Sequence, residues 1–212
     1  MAKRVDFDDL EASQSFKHSR SYHKYFKGYA ERRVPKSNGK GYKIERIYIG
    51  EYYRYGETDS HWIIKKVLYG ILFIAAIACI IVAGVMKSEI NFYKVVSVGQ
   101  MVSVVVALYL LYRLVLNISA KRLMTIGNYE ASVPSLKKAA LICAICCFAV
   151  TVVMFLYKLI ATKSLIGVDW LVLGLEALGG ILFLLIFVIE RLRSVDTVEN
   201  SAQMPEDANE IR

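Results

Sequence analysis

The sequence predicts an all-α membrane protein: a four-helix transmembrane bundle with short loops and a partly ordered cytoplasmic N-terminal segment. Three observations predict it. Apolar residues fill 56% of the 212 positions and mean hydropathy is +0.40, above the roughly 45–50% apolar content of soluble domains. The excess is gathered into four blocks almost free of charge, with the charges between and outside them. Each block holds about 18–22 residues, close to the roughly 20 that a helix rising about 1.5 Å per residue needs to cross a hydrocarbon core of about 30 Å. None of the blocks alternates apolar and polar residues, and lone strands would leave backbone groups unpaired in lipid, so strands are excluded there.

The first predicted span, 67–86, lies between Lys66 and Lys87, with Asp59 or Ser60 expected to cap its helix. The second, 95–116, contains Arg113. The third, 139–160, follows Lys138 and contains Lys158. The fourth, 169–189, begins at Asp169, contains Glu176 and stops before Glu190. The connections 87–94 and 161–167 are too short for a folded domain. The longer connection, 117–138, carries Gly127-Asn128, an expected helix stop, and Ser132-Val133-Pro134, an expected helix start. That predicts a tight corner between the second and third helices, a turn or two beyond the membrane.

Orientation follows from Lys and Arg near the span ends. Arg54, Lys65, Lys66, Lys121, Arg122, Lys137, Lys138, Arg191 and Arg193 lie on one side, against Lys87, Lys94, Lys158 and Lys163 on the other. The expectation is a multi-pass protein of the plasma membrane with both termini cytoplasmic. Trp62, Tyr69, Tyr109 and Tyr112 near the inner boundary, and Phe92, Tyr93, Tyr157 and Trp170 near the outer one, agree with it. Roughly sixty mostly polar residues precede the first apolar block, so no signal peptide is expected.

Residues 1–58 form a basic, aromatic-rich cytoplasmic region. Within it, 1–15 and 34–41 read as disordered, and 17–30 as an amphipathic helix. Tyr22, Tyr25, Phe26 and Tyr29 fall on one side of that helix, and Lys17, Arg20, Lys24 and Lys27 on the other. The four cations are candidate contacts for anionic lipid headgroups. A helix tethered this close to a bilayer favours lipid over nucleic acid, and a solvated helix without a partner is the plainer alternative. Residues 42–55 (YKIERIYIGEYYRY) suit either a strand or an interfacial segment. The tail 194–212 carries Asp196, Glu199, Glu206, Asp207 and Glu210, and reads as acidic and disordered.

Small residues recur at every fourth position as Ala75-Cys79-Ala83, Gly99-Ser103-Ala107 and Ala139-Cys143-Cys147-Thr151, which suggests seams where helices approach closely. Cys143 and Cys146 have the spacing of a redox pair. Four-span thiol–disulfide enzymes of the quinone-linked kind also need a shuttle cysteine in an outer loop, and here all four cysteines lie in apolar blocks, where they suit packing. Arg113 and Lys158 stand near span ends and are expected to snorkel.

Glu176 is the sharpest feature. A carboxyl group at the centre of a span costs about 2.5–3.5 kcal/mol to insert. It has two readings: a proton or cation site, protonated when empty, or a structural acid hydrogen-bonded to a neighbour, with Gln100 the expected partner. Small multidrug antiporters are similar in using one buried Glu in a four-span chain, although theirs lies in the first span and their chains are about half as long. No HExxH, P-loop, GxSxG or carboxylate cluster occurs, and His18, His23 and His61 are too scattered for a metal site. The expectation is no catalytic residue, cofactor or metal. The leading function is a non-enzymatic accessory or scaffold subunit, with the bilayer and a protein partner or second copy as its contacts. The alternative is a small proton- or cation-coupled transporter or channel using Glu176.

Overall fold

The computed structural model describes residues 29–35, 42–161 and 167–198. Of the predicted N-terminal helix, Lys17, Arg20, Lys24 and Lys27 lie outside the described residues, as does the tail beyond Val198. The chain divides into two compact units.

The smaller unit is built from strands. Strand β1 (Tyr29–Pro35) pairs antiparallel with β2 (Tyr42–Tyr48), placing Tyr29 opposite Tyr48 and Pro35 opposite Tyr42. Tyr29 therefore starts a strand where a helix was expected. Strand β3 (Tyr52–Tyr55) is the middle of a three-stranded antiparallel sheet, flanked by β4 (Leu123–Met124) and β5 (Val195–Val198). The Tyr- and Ile-rich stretch 42–55 thus resolves as strands, as suits aromatic and β-branched side chains on a pleated surface. Val195–Val198, expected in a disordered tail, is also a strand, because β3 offers it a partner: Tyr53 stands opposite Thr197 on one side and Met124 on the other.

Tyrosines knit this unit together. The rings of Tyr29, Tyr48 and Tyr52 meet edge to face, with centroids 5.0 and 4.9 Å apart, and Tyr53 stacks on Tyr129 at 4.3 Å. The Tyr48 hydroxyl donates to Glu51 O at 2.6 Å and accepts from the Ile126 N–H at 2.9 Å. Burial pushes its phenol above the usual range, against the opposing pull of the Ile126 hydrogen bond.

The larger unit is helical. Helices α1 (Asp59–Val85), α2 (Lys94–Ser119), α3 (Ile126–Ala161) and α4 (Gly167–Arg191) are each long and apolar enough to cross a membrane. The helical bundle is the predicted one, but the flanking segments add two small sheets that an all-α reading omits. Thr58, not Asp59 or Ser60, is the N-cap of α1. It makes no side-chain capping bond, and Asp59 sits in the first turn, where its charge suits the helix dipole.

The connection between α2 and α3 corrects the sequence reading. Gly127 and Asn128 do not stop a helix; they lie in the first turn of α3, and Pro134 lies inside it. Pro134 has no N–H for the carbonyl of Glu130, four residues back. The Ser135 hydroxyl donates to that carbonyl at 2.9 Å and supplies the missing bond. The helix therefore runs through the proline.

Close approaches occur where glycines remove a side chain. A Cβ on Gly179 would stand 3.0 Å from Ile80 Cγ1, and one on Gly180 would stand 3.2 Å from Cys147 Cβ. The pair lets α4 meet α1 on one side and α3 on the other. A Cβ on Gly99 would meet Val150 at 3.1 Å, closing α2 on α3. The buried rows of α2 and α3 include Ser103, Ala107, Ala139, Cys143 and Cys147, as the small-residue stripes predict. In α1 the buried row is shifted to Tyr69, Phe73, Ala76, Ile80 and Ala83, leaving Ala75 and Cys79 half-buried.

Candidate functional site

The bundle core is split into two apolar clusters. One contains Tyr69, Phe73, Ala107, Leu110, Leu114, Phe183 and Ile186 among others. The other is smaller and contains Ala83, Ile90, Val96, Val150, Met154, Val172 and Leu173. Between them lies a polar layer centred on Glu176.

Helix α4 creates this arrangement. Asp169, Glu176, Phe183 and Glu190 follow one another at seven-residue steps, so all four project from one stripe of the helix. None is more than 2% exposed. Three are acids, and the sequence carries them at a spacing of about 10 Å per step. Each acid has a different environment.

At the Asp169 end the charges are paired. Lys158 Nζ lies 2.7 Å from Glu89 Oε2 and 3.2 Å from Asp169 Oδ2, and the Ser88 hydroxyl donates to Asp169 Oδ1 at 2.6 Å. Lys158 is 1% exposed. Instead of snorkelling to open water, as expected, its ammonium is held between buried Asp169 and exposed Glu89. Ser88 also caps a single 3-10 turn, Glu89–Phe92. Beside it, Asn91 Nδ2 donates to the α1 carbonyls of Ala83 and Met86, at 2.8 and 2.9 Å, closing the end of that helix.

At the Glu190 end the charges are paired as well. The Tyr69 hydroxyl donates to Glu190 Oε2 at 2.5 Å, and Arg193 Nη1 approaches the same oxygen at 3.4 Å. Arg193 Nε lies 3.3 Å from Glu57 Oε1, to which Lys65 also donates. Lys66 donates to Ile118 O and Ala120 O, at 2.6 and 2.8 Å, and covers the Trp62 ring at 3.6 Å. A cation on the last carbonyls of α2 complements the negative end of its dipole. Arg113 behaves as an end anchor: its Nε donates to the Tyr109 hydroxyl at 3.0 Å.

Glu176 differs from both ends. It is fully buried, and among the described residues no hydrogen bond of good geometry reaches its carboxyl oxygens; the Ser103 hydroxyl is the polar group within reach. The Ser103 hydroxyl of α2 and the Cys147 thiol of α3 face it. Ser103 makes its own contact with Cys146 Sγ at 3.6 Å. Gln100, the expected partner, forms no hydrogen bond to Glu176. It lies one turn from Ser103 along α2, donates to Asn91 Oδ1 at 3.2 Å and runs past Gly84. The glycines after Glu176 open no notch, because Ile80, Cys147 and Phe148 fill the space.

All four cysteines are free thiols. Cys143 donates to Val106 O at 3.4 Å and acts as a packing residue between α2 and α3. Among the described residues, no group of three or more His, Cys, Asp or Glu side chains could hold a metal ion. Sequence reasoning found Glu176 but missed Asn91, the Lys158–Asp169 pair and the Tyr69–Glu190 pair. The seven-residue spacing of Asp169, Glu176 and Glu190 was the signal that could have exposed the acidic stripe. No family model matches the chain, and neither a curated protein nor a solved structure shows significant similarity to it.

Proposed function

We propose that this chain is a four-pass integral protein of the plasma membrane with both termini in the cytoplasm, and that it serves as a non-enzymatic accessory or scaffold subunit. The observation that carries the reading is how the bundle spends its charge. The buried cations Lys158 and Arg193 face acids within the bundle, and the glycines that approach other helices are filled by side chains. Such a body is built to hold a shape in lipid, where packing and polar contacts drive helix association. The excess of Lys and Arg at one set of helix ends supports the cytoplasmic placement of the termini. The partners on this reading are the bilayer, anionic headgroups near Lys17, Arg20, Lys24 and Lys27, and a membrane or cytosolic protein or a second copy. The test is reconstitution of the purified protein alone in sealed vesicles. No saturable flux of ions or small solutes is expected, and saturable flux would overturn the reading.

One observation favours a second reading, a small proton- or cation-coupled transporter. Glu176 is buried with no well-formed hydrogen bond to its carboxyl oxygens, and an ionisable group in that position is expensive unless it is used. Under this reading Glu176→Gln abolishes coupled flux while the protein still assembles. Unchanged flux in that variant removes Glu176 from transport.

A further inference from the structure

The two routes from Glu176 to the ends of the bundle are unlike. Toward the Asp169 end, α2 carries polar side chains at Ser103 and Gln100, beside the smaller apolar cluster that includes Val96, Val150, Val172 and Leu173. Ser103 faces the Glu176 carboxyl group, Gln100 follows one turn along α2 and donates to Asn91 Oδ1, and the Ser97 hydroxyl donates to Asn91 O at 2.8 Å. Along α4, Asp169 is one seven-residue step away, about 10 Å. Toward the Glu190 end, the next acid is two steps away, about 21 Å. Phe183 occupies the intervening position and packs on Phe73 with ring centroids 6.1 Å apart. Ala107, Leu110, Leu114 and Ile186, all buried, complete an apolar barrier.

We propose that Glu176 is a one-sided proton-binding site, which exchanges protons with the Asn91 end of the bundle through Ser103 and Gln100 and is sealed from the Glu190 end by the Phe73–Phe183 pair. A buried carboxyl group that holds a proton brings no charge into the apolar core. A proton can be handed along hydrogen-bonded groups and needs no cavity of its own, so a close-packed layer can admit it. Other titratable groups near the carboxyl are the Cys147 thiol, with Cys143 and Cys146 beyond it on α3. Helix α2 offers the non-titrating Ser103, and one turn along α4, at Gly179, α1 brings up Ala76 and Ile80. The inference rests on the second reading above, in which Glu176 handles a proton.

The experiment uses the full chain in sealed vesicles of one orientation, selected by capture of a C-terminal tag, with pH set independently on the two sides. Dicyclohexylcarbodiimide, an apolar reagent that attacks only protonated carboxyl groups, is the probe, and labelling of Glu176 is read by peptide mass spectrometry. Between about pH 6 and 9, labelling is expected to follow the pH at the Asn91 side alone, falling about tenfold per unit above the ionisation point of Glu176. Phe183→Ala is expected to make labelling respond to both sides, while the wild-type result stands without that variant. Labelling in the wild type that follows the Glu190 side, both sides or neither overturns the proposal. One-sided labelling without flux leaves the sidedness intact and removes only transport. Coupled flux with two-sided labelling removes only the sidedness.

Discussion

Replacing Lys158 by methionine takes from Asp169 the cation it faces inside the protein. The two charges lie 3.2 Å apart, and both side chains are buried. At an effective dielectric constant of about 20 their attraction is roughly 5 kcal/mol. Glu89 adds little, because its side chain is 62% exposed and water screens it. Methionine keeps the volume and removes the charge, while the Ser88 hydroxyl still donates to Asp169. A carboxylate without its cation can shed its charge by taking up a proton, which at pH 7 costs about 4 kcal/mol for an acid that ordinarily ionises near 3.9. The expected loss is therefore about 3–4 kcal/mol, within the range for breaking a buried pair. Because the escape consumes a proton, the deficit should shrink by about 1.4 kcal/mol for each unit by which the pH is lowered. Lys158→Met with Asp169→Asn removes both charges and should recover most of the loss. The assay is equilibrium unfolding in bicelles by steric trapping, for the wild type, both single variants and the double variant. A single-variant loss below about 0.5 kcal/mol, or one that does not vary with pH, refutes the claim that this pair is buried and mutually dependent.

Three further outcomes follow from the packing. Gly180→Leu must displace Cys147 and Phe148, and a loss of about 1–3 kcal/mol is expected by the same unfolding assay; full stability would mean that α3 and α4 are not in contact there. Glu176→Leu removes a buried acid that no well-formed hydrogen bond holds, so the bundle should gain stability, up to about 2.5–3.5 kcal/mol. A strong loss would show that the carboxyl group is a structural lock. Tyr48→Phe deletes one donated and one accepted bond and should weaken the sheet unit by about 1–3 kcal/mol, read by amide hydrogen exchange in β1–β3. The wild-type phenol is held protonated by the fold. Its contribution is thus complete below the unfolded phenol value, near 10, and fades as pH rises through the higher folded value. Protection in β3, taken relative to the intrinsic base-catalysed rate, that does not fall at alkaline pH, or falls equally in Tyr48→Phe, contradicts this.

The four helices were legible because a run of apolar residues long enough to span a bilayer needs no knowledge of its neighbours. Glu176 was legible for the same reason, since a charge inside such a run stands out. What failed depended on partners far away in sequence. Strand β5 exists because β3 pairs with it, and nothing local in Val195–Val198 announces that. Lys158 looked like a snorkelling end residue because its depth was judged from its own helix. Asp169 and Glu89, brought to it from other segments, reversed the outcome. Pro134 read as a helix start by its usual preference, and one hydroxyl from Ser135 overrode that preference. Gln100 matched Glu176 in depth, but the loop residue Asn91 took its amide instead.

The claim beneath the whole account is that these helices cross a bilayer an even number of times, starting and ending in the cytoplasm. Epitope tags fused to each terminus, probed with antibody in intact and then permeabilised cells, test it most directly. Both tags should be reached only after permeabilisation, in protein that stays with the membrane through alkaline carbonate. A tag stained in intact cells, or protein released by carbonate, would contradict it.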